Sequence, residues 1–599
     1  MREANATIAR FPCDVSRGGA HKLMRALDHQ EVEWQFDADD LGLVEDWLKE
    51  HSSASGFAIL PEATKELTDA YYDTVDWRFY RAGYALRVRR DGKGVEATMK
   101  SLSPAEDGLR RRREISEPLR SGGPKTLMKA RGPVGERLRA LVGSRDLRPL
   151  FEVRTHRRTF AIRPDGSADA DGSSGQIVED ATGNIRRREE TLSADEILVD
   201  ATGGIHRRGS GAALGEVALD SSEISGGAEA TRLQRVEVEV EETSELHDEV
   251  GRFVDELRGS QGLRPAGVSK FEAGLSASGL RPEGAPELGS TEIDVTLSAG
   301  EVAFAVLRRH FAAMLDNEPG VRLGEDPEDL HDMRVATRRL RATLKLYADF
   351  LPKRAWRFER DLRWVGGSLG EVRDLDVHLE RLAREASEGW CGEALEEIIA
   401  ALQDALQERR GEARRRMLGM LDSGRYERLL SGFAGMLRRG RIPAPTGPIL
   451  EVAPRLVRRR YEKARKAAAG LSEDSPPEAF HDLRKKGRRL RYALEPLQGI
   501  YGEPSEKMVE MLKQLQDDLG EHQDLVVAVA MLREHGVAGK LPPQTIFSMG
   551  SMAGRYAREA AEIRAVVTYS KPFRAFSKGK EWKKLRKTMR KRTGEKVEE

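Results

Sequence analysis

From residue 28 to about 280 the chain alternates apolar and polar positions with period two between turn residues, the pattern of antiparallel strands. The clearest runs are ALRVRR (85–90), EATMK (96–100), FEVRTHRRTFAI (151–162), GEVALD (215–220) and RVEVEVEE (235–242). Helical interruptions are predicted at 39–51, 123–142 and 248–257. Beyond residue 296 the apolar spacing becomes helical and stays so to the end. One helix there is written twice. HDMRVATRRLRATLKLY begins at His331 and HDLRKKGRRLRYALEPL at His481, and LGEVRD (369–374) returns at the same offset as LGEHQD (519–524). Two blocks in one order at one offset mark a duplicated unit. One stripe of each copy is apolar and predicted to pack: Leu330, Met333, Leu340, Leu344 and Tyr347, then Phe480, Leu483, Leu490, Leu494 and Leu497. The stripe beside it is cationic. It runs His331, Arg334, Arg338, Arg341, Lys345 in the first copy and His481, Arg484, Arg488, Arg491 in the second, flanked by Arg339, Lys485 and Arg489.

These shifts divide the chain into a leader (1–27), a strand-rich domain (28–280), a Gly/Pro-rich linker (281–295) and a helical domain (296–599) of two duplicated bundles. A break at 440–447 separates the bundles, and a basic tail at 578–596 reads as a solvated or polyanion-touching extension. Within the strands, 163–212 turns to Gly, Ser, Asp and Ala, and DATGNIRR (180–187) recurs as DATGGIHR (200–207). Strand signals end at Ile162 and resume at Gly215, so this reads as an insertion at a hairpin tip.

Composition adds little at the level of the whole chain: 100 basic residues face 99 acidic ones over 599 positions. Locally the balance breaks, with 13 Lys or Arg against 5 Asp or Glu from Arg455 to Arg491, and five acids without a base from Glu237 to Glu245. Separate cationic and anionic sites follow. The two cysteines, Cys13 and Cys391, build no disulfide framework, and no run approaches a membrane span or a signal core. The expectation is a cytoplasmic protein without a membrane partner.

Arginine repeated at the same places on two helices is a planar, permanently charged donor suited to phosphate oxygens, and two such stripes would form a groove for a long polyanion. Few aromatics interleave with these arginines, so base stacking is poorly supplied and nucleic acid is disfavoured. In EVEWQ (31–35), Glu31, Glu33 and Gln35 share one strand face and Val32 and Trp34 the other; Glu237, Glu239 and Glu241 repeat the arrangement, and Arg87 and Arg89 share a face. Such faces either meet solvent or line an interior, where acids and cations compensate each other or hold Mg²⁺ or Mn²⁺ with phosphates.

Residues 28–280 resemble a CYTH domain, the triphosphate tunnel metalloenzyme family. The resemblance rests on Glu31 and Glu33 of a Glu-x-Glu-x-Lys opening, YYDTVDWRFYRAGYALRVRR (71–90), TMK (98–100), RRREISEP (111–118), GEVALD (215–220), VEVEVE (236–241) and VSKFEAGL (268–275). Residues 296 to about 590 resemble a CHAD domain through the duplicated His-Asp-x-Arg helix. The resemblance implies an α+β multidomain chain with a closed antiparallel barrel whose bore holds a triphosphate, followed by an all-α polyphosphate-binding domain. By position it implies Glu31, Glu33, Glu216, Asp220, Glu237 and Glu239 as metal ligands for Mg²⁺ or Mn²⁺. Arg87, Arg89 and Lys100 are implied as catalytic cations, and Arg112, Arg157 and Lys270 as further phosphate grips. Polyphosphate would be taken along the two basic helices, which places the protein at cytoplasmic polyphosphate granules. One departure stands out: the motif lysine is Gln35, which can donate to a phosphate but brings no charge. The expected function is a metal-dependent triphosphatase, with a non-catalytic polyphosphate-binding protein as the alternative.

Overall fold

The computed structural model describes residues 28–594 except 52, 55–56, 165–176, 180–184, 188–196, 200–204, 208–213, 227–229, 242–246, 283–286, 388–392, 441–446 and 539–540. The leader at 1–27 and most of the insertion therefore lie outside the described residues. The chain divides into two units, Met1–Gly284 and Ala285–Glu599, at a point inside the segment read as a linker.

In the first unit eight strands close into an antiparallel barrel: β1 (Asp28–Asp37), β2 (Phe57–Thr74), β3 (Tyr84–Asp91), β4 (Gly94–Ser101), β5 (Leu109–Leu119), β6 (Leu147–Pro164), β7 (Gly215–Ser225) and β8 (Thr231–Glu241). The order around the wall is β1, β8, β7, β6, β2, β3, β4, β5 and back to β1. Period-two alternation makes this barrel polar inside and apolar outside. Val32 and Phe36 of β1 face outward, with Val217, Leu219, Val236 and Val238, onto Leu41, Val44 and Leu48 of α1 (Leu41–Glu50) and Val250, Phe253 and Leu257 of a later helix. A second apolar layer joins Tyr71, Phe151, Val153 and Ile224 to Phe271 and Leu275. The interruption expected at 123–142 contains α2 (Pro133–Val142), which ends the strand run of β5; α3 (His247–Gln261) and α4 (Lys270–Ala277) follow β8. A capping box between Ser269 and Glu272 fixes the start of α4, and so the position of Lys270.

Gly215 of β7 pairs with Ile162 of β6, and the Leu214 N–H donates to the Ile162 carbonyl at 2.7 Å. The hairpin is thus closed before the insertion begins. Within the insertion, Ile177–Glu179 pairs with Ile185–Arg187 and Ile197–Val199 with Ile205–Arg207, so the local sequence repeat is a repeated short hairpin.

The second unit is helical. Its first half comprises α5 (Ala299–Leu323), α6 (Pro327–Leu346), α7 (Ala355–Ser387), α8 (Glu393–Leu421) and α9 (Gly424–Arg439). Its second half comprises α10 (Ile449–Ala468), α11 (Pro477–Leu494), α12 (Glu503–Val537), α13 (Pro543–Tyr569), α14 (Lys571–Lys578) and α15 (Lys580–Thr593). The 150-residue offset holds at the starts of α5 and α10 and of α8 and α13. The two beginnings lie side by side: Ala299 N–H donates to the Gly447 carbonyl (3.1 Å) and Ile449 N–H to the Leu297 carbonyl (2.9 Å). Both predicted apolar stripes are buried, and one continuous core runs through both halves. The basic tail corrects its reading as a solvated extension. Leu585 and Met589 of α15 are buried, and Trp582 stacks on Tyr461 of α10 with ring centroids 4.1 Å apart. Apolar residues three or four positions apart anchor one face of an otherwise cationic helix.

Replacing residues 165–212 by a short turn is expected to leave thermal unfolding cooperative and its midpoint within a few degrees of the parent, because loop-closure entropy changes slowly with length. Circular dichroism melting checks this. Loss of cooperativity would mean that the insertion packs as part of the barrel.

Candidate functional site

The bore of the barrel is lined with charge. Glu31, Glu33 and Gln35 of β1 are all buried, as are Asp69 (β2), Arg87 (β3), Arg112 (β5), Asp220 (β7), Glu237 (β8) and Lys270 at the start of α4. Arg89, Lys100, Glu114, Arg157 and Glu239 share these inward faces by alternation. Carboxylates and cations interlock there. Lys100 Nζ is 2.6 Å from both Glu31 and Glu114, while Arg112 bonds Glu33 and lies 3.3 Å from Glu31. Arg89 makes a two-pronged pair with Asp69 at 2.8 Å each. Arg157 makes another with Asp220 (2.8 and 2.7 Å) and reaches Glu237 as well. Lys270 bonds Asp220 and lies 2.8 Å from Glu237. Arg87 lies 3.9 Å from both Asp69 and Glu114.

The pairing is uneven, and acidities show where. Burial, then Glu237 and Glu31, push Glu33 up to about 7; burial, then Glu31, push Glu239 up to about 8. Burial acts the same way on Glu237 and Glu114, but Lys270 and Arg157 hold the first, and Lys100 and Arg87 the second, well below the usual carboxylate range. The wall around Glu33 and Glu239 is therefore short of positive charge. Gln35 sits in this wall: its amide donates to Glu33 (3.0 Å) and Glu237 (3.4 Å). Glu216 stands further out, 3.9 Å from Arg157. Among the described residues no group of three or more His, Cys, Asp or Glu converges as a metal site, because the bore acids turn to the bore cations. Asp69, Glu114, Arg110 and Arg235 escaped the sequence reading. Glu114 was detectable as the next inward position after Arg112; Asp69 needed the register that sets it opposite Arg89.

In the helical unit the two duplicated helices meet. Arg338 Nε of α6 donates to the hydroxyl of Tyr492 on α11 (2.9 Å), and Arg339 and Arg491 lie 5.2 and 5.5 Å from the same ring centre. Burial, then Arg338, bring Arg488 down to about 10, with Arg484 and Arg334 acting in the same direction. Arg334, Arg338, Arg484 and Arg488 thus form one cluster of mutually repelling guanidiniums. The second repeated block supports it. Arg334 pairs with Asp374 at 3.1 Å and lies over Gly370, and Arg484 lies over Gly520, each guanidinium within contact distance of where a Cβ would stand. His481 bonds Gln523 at 2.5 Å. The rest of the predicted stripe is drawn elsewhere. Arg341 and Lys345 pair with buried Glu359 (3.1 and 2.8 Å), and Arg339 and Arg491 with Glu495 (3.1 and 3.5 Å). His331 and Lys485 are half-buried and Arg489 is exposed on the same helices.

The first unit is a closed barrel with a charged bore, and the second is a duplicated helical unit with a guanidinium cluster. The model of the CYTH domain matches residues 43–274 and that of the CHAD domain residues 305–533. The chain is a CYTH–CHAD tandem. These families bind triphosphate- and polyphosphate-type substrates, and the CYTH family includes triphosphatases and is generally dependent on divalent metals. Two uncharacterised proteins of Mycobacterium tuberculosis are 30% identical over 242 residues, 39% of this chain and 44% of theirs. The match thus spans less than half the length of these curated relatives. Among solved structures, the CHAD domain of the plant Ricinus communis is 27% identical and covers 48% of this chain and 96% of its own (TM-score 0.40). PptA from Streptomyces chartreusis is 22% identical over 45% of this chain and 98% of its own (TM-score 0.36). A Hippeastrum protein assigned as an adenylyl cyclase, with a dominant triphosphatase activity, is 14% identical over 41% of this chain and 95% of its own (TM-score 0.26).

The repulsion within the cluster has a measurable consequence. Arg488 has a folded-state pKa below its free value, so its charged form opposes folding, and removing that charge stabilises the ligand-free protein. Arg488→Gln is expected to raise the thermal midpoint of the helical transition at low salt by roughly 2–4 °C, the shift that about 1 kcal/mol makes in a large domain. Added salt should narrow the difference. A midpoint that falls in calorimetry would mean that Arg488 is held by compensating contacts.

Proposed function

We propose that the barrel is a metal-dependent triphosphatase acting on inorganic triphosphate or polyphosphate ends, and that the helical unit binds the polymer. The observation that carries the first half is the bore itself, where buried cations and charge-deficient carboxylates face each other in one enclosed channel. Arg87, Arg89 and Lys100 would grip the phosphoryl group under attack, and Arg112, Arg157, Lys270 and the Gln35 amide the rest of the chain. A phosphate chain binds by taking these cations from their present carboxylate partners. Glu31, Glu33 and Glu239 fit a hard divalent cation by donor type and by charge, and would hold Mg²⁺ or Mn²⁺, with Glu216, Asp220 and Glu237 nearby. When bound, that ion neutralises charge on the phosphoryl oxygens during in-line attack by water. A second reading, a polyphosphate-binding protein with a silent bore, is favoured by Gln35, which supplies no charge where the family motif has lysine. Among the described residues no helix is long and apolar enough to cross a membrane. Our reading places the protein in the cytoplasm, where polyphosphate granules would bring it to its ligand.

Phosphate release from inorganic triphosphate is expected to require Mg²⁺ or Mn²⁺ and to vanish in chelator. Glu33→Gln, nearly isosteric, should abolish turnover and weaken metal binding in calorimetry while the fold persists. Gln35→Lys restores a cation and should raise affinity or rate about tenfold or more. A parent inactive with every divalent ion, together with a Gln35→Lys variant that gains neither binding nor activity, would leave the silent-bore reading.

Long-chain polyphosphate should bind the full-length protein with an affinity that falls steeply with salt, through counterion release. The double variant Arg338→Glu/Arg488→Glu should lose more affinity than either single change. An undiminished double variant would locate the polymer elsewhere.

A further inference from the structure

We propose that Arg110 and Arg235 form a second anion position inside the barrel, beside Gln35, that takes the terminal phosphoryl group of a linear phosphate chain. This rests on the reading of the bore as a triphosphate channel. Both side chains are almost fully enclosed, 3% and 1% exposed. Alternation puts Arg110 on the inward face with Arg112 and Glu114, and Arg235 on that with Glu237 and Glu239. Their strands, β5 and β8, are the two neighbours of β1, and the registers Glu33–Arg110, Gln35–Glu237 and Asp37–Arg235 bracket Gln35 between them.

What separates these two arginines from the other bore cations is a buried terminal nitrogen without a hydrogen bond, where Arg87 and Arg112 leave only Nε so. Arg89 and Arg157 each spend both prongs on a carboxylate. Arg235 gives Nε and one terminal nitrogen to Asp37 (3.2 and 3.0 Å), and its remaining nitrogen is buried without a hydrogen bond. Arg110 donates from one terminal nitrogen to the Ser103 carbonyl (3.0 Å), and its other terminal nitrogen lies 3.8 Å from the half-exposed Glu272. Its Nε and that second terminal nitrogen have no hydrogen bond. Burial, then Arg112, make Arg110 a weaker base than usual, with Arg235 adding to the repulsion. Three enclosed guanidinium nitrogens without acceptors, on two groups that stay charged, are rare unless a ligand completes them. The fork geometry of arginine fits a phosphoryl group with two free oxygens. The pair also puts positive charge next to the neutral amide of Gln35.

Inorganic triphosphate titrated into the full-length protein, with Mg²⁺ and again in chelator, tests this when parent, Arg110→Gln, Arg110→Lys and Lys100→Gln are compared by calorimetry. Any contribution of the helical unit is common to all four. Arg110→Gln keeps a donor for Ser103 and should melt as the parent does without ligand. It should nevertheless bind triphosphate about ten- to a hundredfold more weakly and lose most of the ligand-induced rise in melting temperature. Arg110→Lys should recover part of the affinity. If Lys100→Gln weakens binding and both Arg110 variants bind like the parent, the channel takes triphosphate without Arg110 and the inference is overturned. If no variant changes binding, the triphosphate reading of the bore fails and this inference with it. If Arg110→Gln unfolds, Arg110→Lys decides: parent-like affinity for triphosphate overturns the proposal, and a loss of tenfold or more sustains it.

Discussion

Enclosed charge must be compensated, and in this barrel that requirement sets almost everything else. A carboxylate or ammonium taken out of water is costly unless it finds an opposite charge with good geometry. The wall supplies opposite charges on neighbouring strands: Lys100 between Glu31 and Glu114, Arg157 across Asp220 and Glu237, Arg89 against Asp69. Because the interior is polar, the apolar half of each strand has to be buried outside, under α1, α3 and α4. The helices around the barrel follow from the charges within it.

Compensation inside the bore is close but incomplete. Where it fails on the acidic side, at Glu33 and Glu239, protons are held more tightly than usual; where it fails on the basic side, at Arg110 and Arg235, donors are left without acceptors. The two shortfalls are of opposite sign and lie on adjacent strands β5, β1 and β8. A cation and a phosphate chain arriving together would correct both, while either alone would correct only one. The tunnel is thus better suited to a metal–phosphate pair than to a bare anion.

Six of the eight strands were legible because they alternate so regularly, as EVEWQ and VEVEVE do, while β2 and β5 were not, and the helical half was legible because its apolar stripe recurs at a fixed offset. The charge stripe was only partly legible. Nothing local to α6 reveals that Arg341 and Lys345 turn to Glu359, since that acid belongs to another helix and has Val509 at the matching place in the second half. Arg110 was hidden for a similar reason: in the run RRRRE four arginines look alike, and only closure of the barrel decides which are enclosed. The basic tail misled in the opposite direction. Its charges outnumber the two buried anchors, Leu585 and Met589, that fix it to the core.

The two sites also differ in how a polyanion would pay for entry. In the barrel, Lys100, Arg89, Arg112, Arg157 and Lys270 are already engaged, so a ligand would have to displace carboxylates one by one, and only a chain whose oxygens match the spacing of these cations would recover the loss. That favours short phosphate chains of defined length. At the α6–α11 contact, Arg334, Arg338, Arg484 and Arg488 repel each other before anything binds. On the proposed reading, an anion would relieve repulsion already present there at the expense of the Arg334–Asp374 pair and the Arg338–Tyr492 hydrogen bond, and any phosphate in a long polymer would do so equally well. On the proposed reading, selectivity would belong to the enclosed site and tolerance of length to the half-buried cluster. On that reading, a chain that carries both would hold a polymer without regard to its length and still discriminate at the chemical step.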